Sequence, residues 1–197
     1  QDPHGLFQVT VGDYGQLESR IAASGPVTDT LAIGGTLFGA ARDGYVTNPV
    51  TGEEYNNRNA WGGLFQAAWD VTPNFNLDFA VDYAEEDNAL TMGQAVSSLT
   101  TIIGVPIPAG AVPSPLPEFN FTAQATPGLP NSSVMDHGGL SVHADWELTS
   151  NLTLRSITAY RNLNYTDYVD IDATALELGD VLVDVDQDQT SQEFQAI

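Results

Sequence analysis

Along most of this chain apolar and polar residues alternate one for one, and many of the polar positions are charged. In 140–148, Leu140, Val142, Ala144, Trp146 and Leu148 fall on one side of an extended strand, with Ser141, His143, Asp145 and Glu147 on the other. The run 77–84 repeats the pattern, setting Leu77, Phe79, Val81 and Tyr83 against Asp78, Asp82 and two alanines. Almost nothing has helical spacing. Period and turn residues together predict seven full strands near 6–14, 16–27, 31–43, 61–71, 77–85, 139–149 and 152–168, and the start of an eighth near 188. The expected fold class is all-β, an antiparallel up-and-down meander. A sheet with one apolar and one charged face can be half of a dry-centred sandwich, or part of a transmembrane β-barrel with lipid outside and water inside.

The connections help to separate these. Thr28-Asp29-Thr30, Thr72-Pro73-Asn74-Phe75-Asn76 and Thr149-Ser150-Asn151 have the composition of tight turns. At the opposite end lie long loops at 44–60, 86–138 and 169–187, and one short turn around Gly15. Short turns at one end and long loops at the other is the pattern of outer-membrane barrels. The segment 86–138 holds seven of the eleven prolines, and only Glu118 is charged between Asp87 and Asp136. A loop of that length is out of place in a compact soluble domain and ordinary outside a barrel. Trp69 and Trp146 each stand just before a tight turn on the apolar face, where a lipid-facing aromatic girdle would put them.

Charge narrows the partners. Against 26 acidic residues there are five arginines and no lysine, for a formal net charge of -21 and a pI near 4.1. Such a surface repels phosphate backbones, so nucleic acid is not an expected partner. With no cysteine there is neither a disulfide framework nor a thiolate metal site. The weakly polar stretch Leu99 to Pro117 is interrupted by Pro106, Pro108, Pro113 and Pro115, which rules it out as a spanning helix. A mean hydropathy of -0.11 is compatible with a barrel, where only alternate strand residues need to be apolar.

Candidate chemistry is sparse. Asp184-Val185-Asp186-Gln187-Asp188 begins like a calcium loop, but Gln189 and Gln195 stand where an EF-hand needs Gly and a bidentate Glu, and no helices flank it. Asp180, Asp184, Asp186 and Asp188 are retained as weak calcium candidates in an acidic loop. His4, His137 and His143 have no metal-ligand spacing. No nucleophile elbow, phosphate-binding glycine loop or zinc-protease helix occurs, so neither an enzyme nor a cofactor is expected. Gly34-Gly35 and Gly62-Gly63 fall within strands and mark close packing or bends. The polar face collects Glu18, Arg20, Asp70, Asp78, Asp82, His143, Asp145, Glu147, Arg155 and Arg161 from several strands. Burying these ions in a dry interior would cost several kcal/mol each, whereas a hydrated lumen meets them with water and counter-charges.

Several stretches resemble TonB-dependent outer-membrane receptors, in the order that family has them. Val9-Thr10-Val11-Gly12-Asp13-Tyr14-Gly15, with Glu18-Ser19-Arg20 and Ser24 to Ala32, is similar to their first barrel hairpin. Arg42-Asp43-Gly44-Tyr45 with Asn48 resembles the end of their third strand. Leu152 to Arg161 and Asp188 to Phe194 resemble later strands. The resemblance implies uptake of a scarce nutrient (siderophore, vitamin or glycan) across a Gram-negative outer membrane. Its partners would be outer-membrane lipid, a plug and further barrel strands, and a TonB-type energy-coupling protein. Such barrels have about 22 strands, and this chain supplies about eight, without a visible plug, TonB box or terminal aromatic strand. The expectation is therefore one partial barrel domain over 1–197, a piece of a longer receptor. Two other readings stay open: a secreted soluble β-protein that binds calcium or polysaccharide through acidic loops, and a β-fragment that assembles with itself through its open edges.

Overall fold

The computed structural model describes residues 2–94, 101–102, 105–106, 118–177 and 179–197. Its strands are β1 (His4–Val11), β2 (Leu17–Pro26), β3 (Leu31–Arg42), β4 (Val46–Thr47), β5 (Glu54–Tyr55), β6 (Arg58–Thr72), β7 (Phe75–Asn88), β8 (Thr101–Ile102), β9 (Val105–Pro106), β10 (Ser133–Thr149), β11 (Leu152–Asp170) and β12 (Asp180–Ala196). Eight of them form one antiparallel sheet in the order β1-β2-β3-β6-β7-β10-β11-β12, a meander with β1 and β12 as open edges. The other four pair as the small hairpins β4-β5 and β8-β9.

Local chemistry sets the hairpins. Between β1 and β2, Tyr14 and Gly15 both have positive φ (58° and 64°), and the Gln16 amide donates to the Asp13 carbonyl at 3.2 Å. That is a two-residue turn of the mirror-image type that matches strand twist, with glycine carrying the left-handed second position. At the opposite end β2 and β3, β6 and β7, and β10 and β11 are joined by short turns. Register shifts by a bulge after Asp70 and after Glu147, next to two of those turns.

The last strand starts earlier than the sequence suggested. The segment expected as an acidic loop up to 187 is strand from Asp180, paired with β11 along Asp170↔Asp180 to Leu154↔Ala196. Val181, Val183 and Val185 supply the β-branched alternation that the aspartates mask. Likewise β7 runs to Asn88 and β10 begins at Ser133, so the loop expected over 86–138 is shorter at both ends. Part of it, including most of Leu99 to Pro117, lies outside the described residues.

The register puts all residues of one parity on one face. Leu31, Ile33 and Leu37 of β3, Trp61, Phe65 and Trp69 of β6, Phe75, Phe79 and Tyr83 of β7, and Leu140 and Trp146 of β10 share the outer face. Among the described residues nothing covers it: Phe7 is 70% exposed, Leu37 67%, Trp69 47% and Trp146 49%. Among the described residues the buried apolar side chains are few, and most of them (Val46, Tyr55, Leu90, Met92, Ala123) sit in the long loops rather than between sheet layers. A sandwich core is therefore not what holds the strands together.

The glycines within strands make room for neighbours. A Cβ on Gly62 would stand 2.7 Å from the Phe38 ring and one on Gly63 2.8 Å from Leu37, on opposite faces. One on Gly139 would meet the Tyr160 carbonyl at 2.7 Å and the Arg161 side chain at 3.2 Å. Gly139→Ala is expected to cost about 1–3 kcal/mol by overpacking and to displace Arg161. Equilibrium denaturation of the variant checks this, and an unchanged midpoint would show that the close approach does not matter.

Candidate functional site

All ten charged positions anticipated from the sequence lie on the inner face: Glu18 and Arg20 of β2, Asp70 of β6, Asp78 and Asp82 of β7, His143, Asp145 and Glu147 of β10, and Arg155 and Arg161 of β11. Trp69 and Trp146 are on the outer face. The same parity brings Arg42, Arg58, His4 and His137 inward, so all five arginines and three histidines share one wall.

Three ion pairs organise this wall. Arg155 and Asp145 are direct cross-strand partners joined twice, Nε to Oδ1 at 2.6 Å and an Nη to Oδ2 at 2.7 Å. Arg161 reaches two strands away, to Asp82 at 2.8 and 2.9 Å. The register explains how: Asp82, Gly139 and Arg161 lie in one row, and the missing side chain at Gly139 leaves a path for the guanidinium. Arg58 reaches Glu18 at 3.1 Å diagonally across β3, from the row of Arg42 to the row of Ala40. The Arg161 pair thus passes over a glycine on the strand between. All are partly solvated, so they position side chains more than they add stability. Below them Ser24, Gly34, Gln66, Ala80 and Ser141 form one row of short or flexible side chains, part of the floor of a shallow trough of about 440 Å³.

The four calcium candidates do not converge. Asp184, Asp186 and Asp188 stand at alternate positions of β12 on the outer face, about 7 Å apart along the strand, and Asp180 about 13 Å before Asp184 with Leu182 between. They are held separately: Tyr160 donates to Asp188 at 2.5 Å, Thr166 to Asp184 at 3.3 Å and Thr126 to Asp180 at 3.1 Å. Among the described residues no three His, Asp or Glu side chains are grouped to hold a metal ion. The expectation of an acidic binding loop is corrected accordingly.

The site that composition did not reveal lies where the long loops meet. Asparagines tie these loops together by standing in for backbone. Asn56, at φ 63°, donates from Nδ2 to the Met92 carbonyl at 2.8 Å and accepts from the Met92 amide at 2.5 Å. Asn131 accepts from Leu90 N at 2.9 Å and donates to the Glu54 carbonyl at 3.1 Å. Arg42 donates to the Asn56 carbonyl at 2.7 Å and stacks 5.0 Å from the Tyr45 ring centroid. Under these bonds Val46, Tyr55, Leu90, Met92 and Ala123 form a small core. Asp170, at the loop end of β11, accepts from the amides of Thr126 (2.9 Å), Asp172 (3.0 Å) and Ala173 (2.7 Å), clamping two loops to one strand. A cavity of about 520 Å³ opens between the loops, with Asn48, Glu53, Tyr55, Leu90, Thr126 and Ala175 among its lining. Its signal in the sequence was Tyr45, Val46 and Tyr55, apolar side chains inside a segment otherwise made of turn residues.

The chain is an all-β, eight-stranded antiparallel meander, largely apolar on one face and charged on the other, with short turns at one end and a packed loop cap at the other. Comparison with solved structures agrees on the fold. The ferric yersiniabactin uptake receptor FyuA from Yersinia pestis matches 100% of this chain with a TM-score of 0.70, at 18% sequence identity. The chain spans 28% of that receptor's length. No known protein family matches the sequence, and neither does any curated protein.

Burial holds the Asp170 carboxyl above its ordinary pKa of 3.8; the Thr126 and Ala173 amides pull the other way, and Asp172 adds to the rise. The folded loops thus bind this proton more tightly than the unfolded chain. The contribution is largest below the ordinary value and is lost as pH rises through the raised one. Protection of the 121–129 and 171–176 amides against hydrogen exchange is expected to strengthen as pH is lowered from neutral toward the ordinary carboxylate value. In Asp170→Asn that dependence should vanish, and the docking should weaken by about 1–3 kcal/mol because an amide N–H then faces Thr126 N–H.

Proposed function

We propose that this chain is a segment of the wall and loop cap of a TonB-dependent transporter in a Gram-negative outer membrane, taking up a scarce nutrient such as a siderophore, vitamin or glycan. The observation that carries the reading is the division of the sheet. Its outer face is apolar and uncovered from Phe7 to Trp146, while every arginine and histidine lies on the inner face. Lipid is the solvent that suits the first face, and a hydrated lumen suits the second. Aromatic residues support it: Trp61, 5.4 Å from Tyr83, stands eight residues from Trp69 on β6, about 26 Å along the strand and, at a tilt of about 40°, about 20 Å along a barrel axis. An apolar barrel band is about 25 Å tall.

In this reading residues 1–197 act as one unit, and the edges of β1 and β12 pair with further strands of a longer barrel, since an unpaired edge cannot face lipid. A plug would fill the lumen, and a TonB-type protein would supply energy. The function is transport rather than catalysis. The matched fold of a ferric siderophore uptake receptor supports the same assignment. A soluble calcium- or polysaccharide-binding protein is less well supported, because it would need a cover for the outer apolar face.

The two faces give a paired test. Phe79→Arg, on the outer face, is expected to cost about 2–4 kcal/mol near the bilayer midplane and to prevent outer-membrane assembly. Ala80→Arg, one residue along and facing inward, should still assemble. Heat-modifiable migration of each variant in membrane fractions reads the result. Equal assembly of both would overturn the membrane reading.

A further inference from the structure

Two anchors of different kinds hold residues 118–129 against the rest of the cap. At the first, the Thr47 amide donates to the Phe121 carbonyl at 2.9 Å and the Ala123 amide to the Thr47 carbonyl at 3.3 Å, adding the segment to the β4-β5 hairpin as a parallel strand. Backbone bonds of this kind do not titrate. At the second, Thr126 is held by acids. Its amide donates to Asp170 Oδ2 at 2.9 Å, and its hydroxyl faces both Asp180 Oδ1 at 3.1 Å and the Leu176 carbonyl at 3.2 Å. One hydroxyl proton cannot serve two acceptors fully.

This second anchor lacks a donor. Asp172, two residues beyond Asp170, accepts from the Thr174 amide and hydroxyl through Oδ1 alone, and its Oδ2 is buried with no donor among the described residues. A buried acceptor left unpaired loses its water and gains nothing in return. No cation answers it either: Arg58, Arg155 and Arg161 pair with other carboxylates, Arg42 donates to the Asn56 carbonyl, and no ion pair among the described residues includes Asp170 or Asp172. The titratable groups around Asp170 are Asp172 and the exposed Glu177 in its own loop, Asp180 opposite it on β12, Tyr168 on β11, and Tyr55 of β5 with Glu53 beside it; none is basic. Asp170 itself is 8% exposed, and burial, opposed by the Thr126 and Ala173 amides and helped by Asp172, holds its carboxyl above the ordinary value of 3.8.

We infer that Asp170 and Asp172 share one proton while residues 118–129 are docked, and that this proton is a latch on the cap: as pH rises it passes to solvent, and the segment swings away from β11 on its Thr47 anchor. The shared proton is the donor that the orphaned Asp172 oxygen lacks, and it removes one of two negative charges from a place without a cation. The pair titrates as a unit. Docked loops bind the proton more tightly than released ones, so docking is strongest below the ordinary carboxylate value and weakens as pH rises through the raised one. Ala125 and Leu129 leave with the segment and uncover the small core around Tyr55.

Hydrogen exchange of the whole protein in detergent, read by mass spectrometry and expressed as protection factors so that the intrinsic pH dependence of exchange cancels, tests this. From neutral pH toward the ordinary carboxylate value, the 121–129 amides should gain protection several-fold, while those of Asn48 and Gly52, bonded within the β4-β5 turn, should not change. The decisive variant is Asp172→Asn, which keeps the oxygen facing Thr174 and sets an N–H in place of the orphaned one. It should give the 121–129 amides, at neutral pH, the protection that the parent reaches only in acid; a residue that merely shaped the loop would lower it at every pH. The inference is overturned if the parent's protection is independent of pH, if Asp172→Asn lowers it as Asp170→Asn does, or if calcium at neutral pH raises it as acid does, which would put a cation rather than a proton between the acids. These readouts are local to the loops, so a failed latch leaves the transport reading standing, and a failed transport reading leaves the latch.

Discussion

Because successive strand residues point to opposite faces, a slip of one residue in any strand pair would move that strand's apolar set onto the charged wall and its ions onto the apolar face. Everything else in the sheet depends on this parity being kept across seven consecutive pairings. It is kept even though no core presses the strands together, because the backbone ladder and the turns hold register. The left-handed pair Tyr14 and Gly15 fixes the first hairpin, and the bulges after Asp70 and Glu147 absorb one residue each before the strands are committed. The outcome is a wall on which five arginines from four strands and three histidines face the same way.

The inner wall then arranges its charges by the spaces beside them. An arginine side chain is long enough to cross a neighbouring strand only if that strand presents nothing in its way. Gly139 lies between Arg161 and Asp82 in one row, whereas Arg58 crosses β3 diagonally, from its own partner Arg42 toward Ala40, the partner of Glu18. Where no such gap exists, as for Arg155, the partner is the residue directly opposite. Small residues and charges on this face are therefore one design. The trough along Ser24, Gly34, Gln66 and Ala80 is the part of the wall where small residues occur without an arginine to cross them.

Legibility followed the physics of each part. Alternation over 77–84 and 140–148 identified strands and faces correctly, because a period of two needs no knowledge of partners. The tight turns were equally plain, since their residues carry their own conformational preference. The start of β12 was not. Asp184, Asp186 and Asp188 read as a loop because three acids on one face of a strand are unexpected until β11 brings Thr166 and Tyr160 opposite to donate to them. The loop cap was still less visible. Asn56, Asn131 and Asp170 act through backbone groups 36, 41 and 44 residues away, and nothing local in sequence marks such bonds.

The acids of β12 also fit the geometry of a tilted sheet. Barrel strands lean by about 40°, and neighbours are about 4.8 Å apart, so following one row of paired residues across eight strands climbs roughly 22 Å along the barrel axis. A row that starts inside an apolar band must therefore leave it. On the outer face one row runs Phe7, Ile21, Leu37, Gly63, Tyr83, Gly138, Asn162, Asp188, passing from hydrocarbon to carboxylate in the order the tilt requires. The parallel row from Val11 and Leu17 ends at Thr166 and Asp184. On β12 the apolar outer positions at the far end of the strand are Phe194 and Ala196, whereas β3 keeps Leu31, Ile33 and Leu37. The lengthening of the strands, from eight residues in β1 to 19 in β11, has the same origin. On the membrane reading the later strands rise out of the bilayer before they turn, and their outward acids stand in water. The charge that first suggested a calcium loop is then the mark of where the wall clears the lipid.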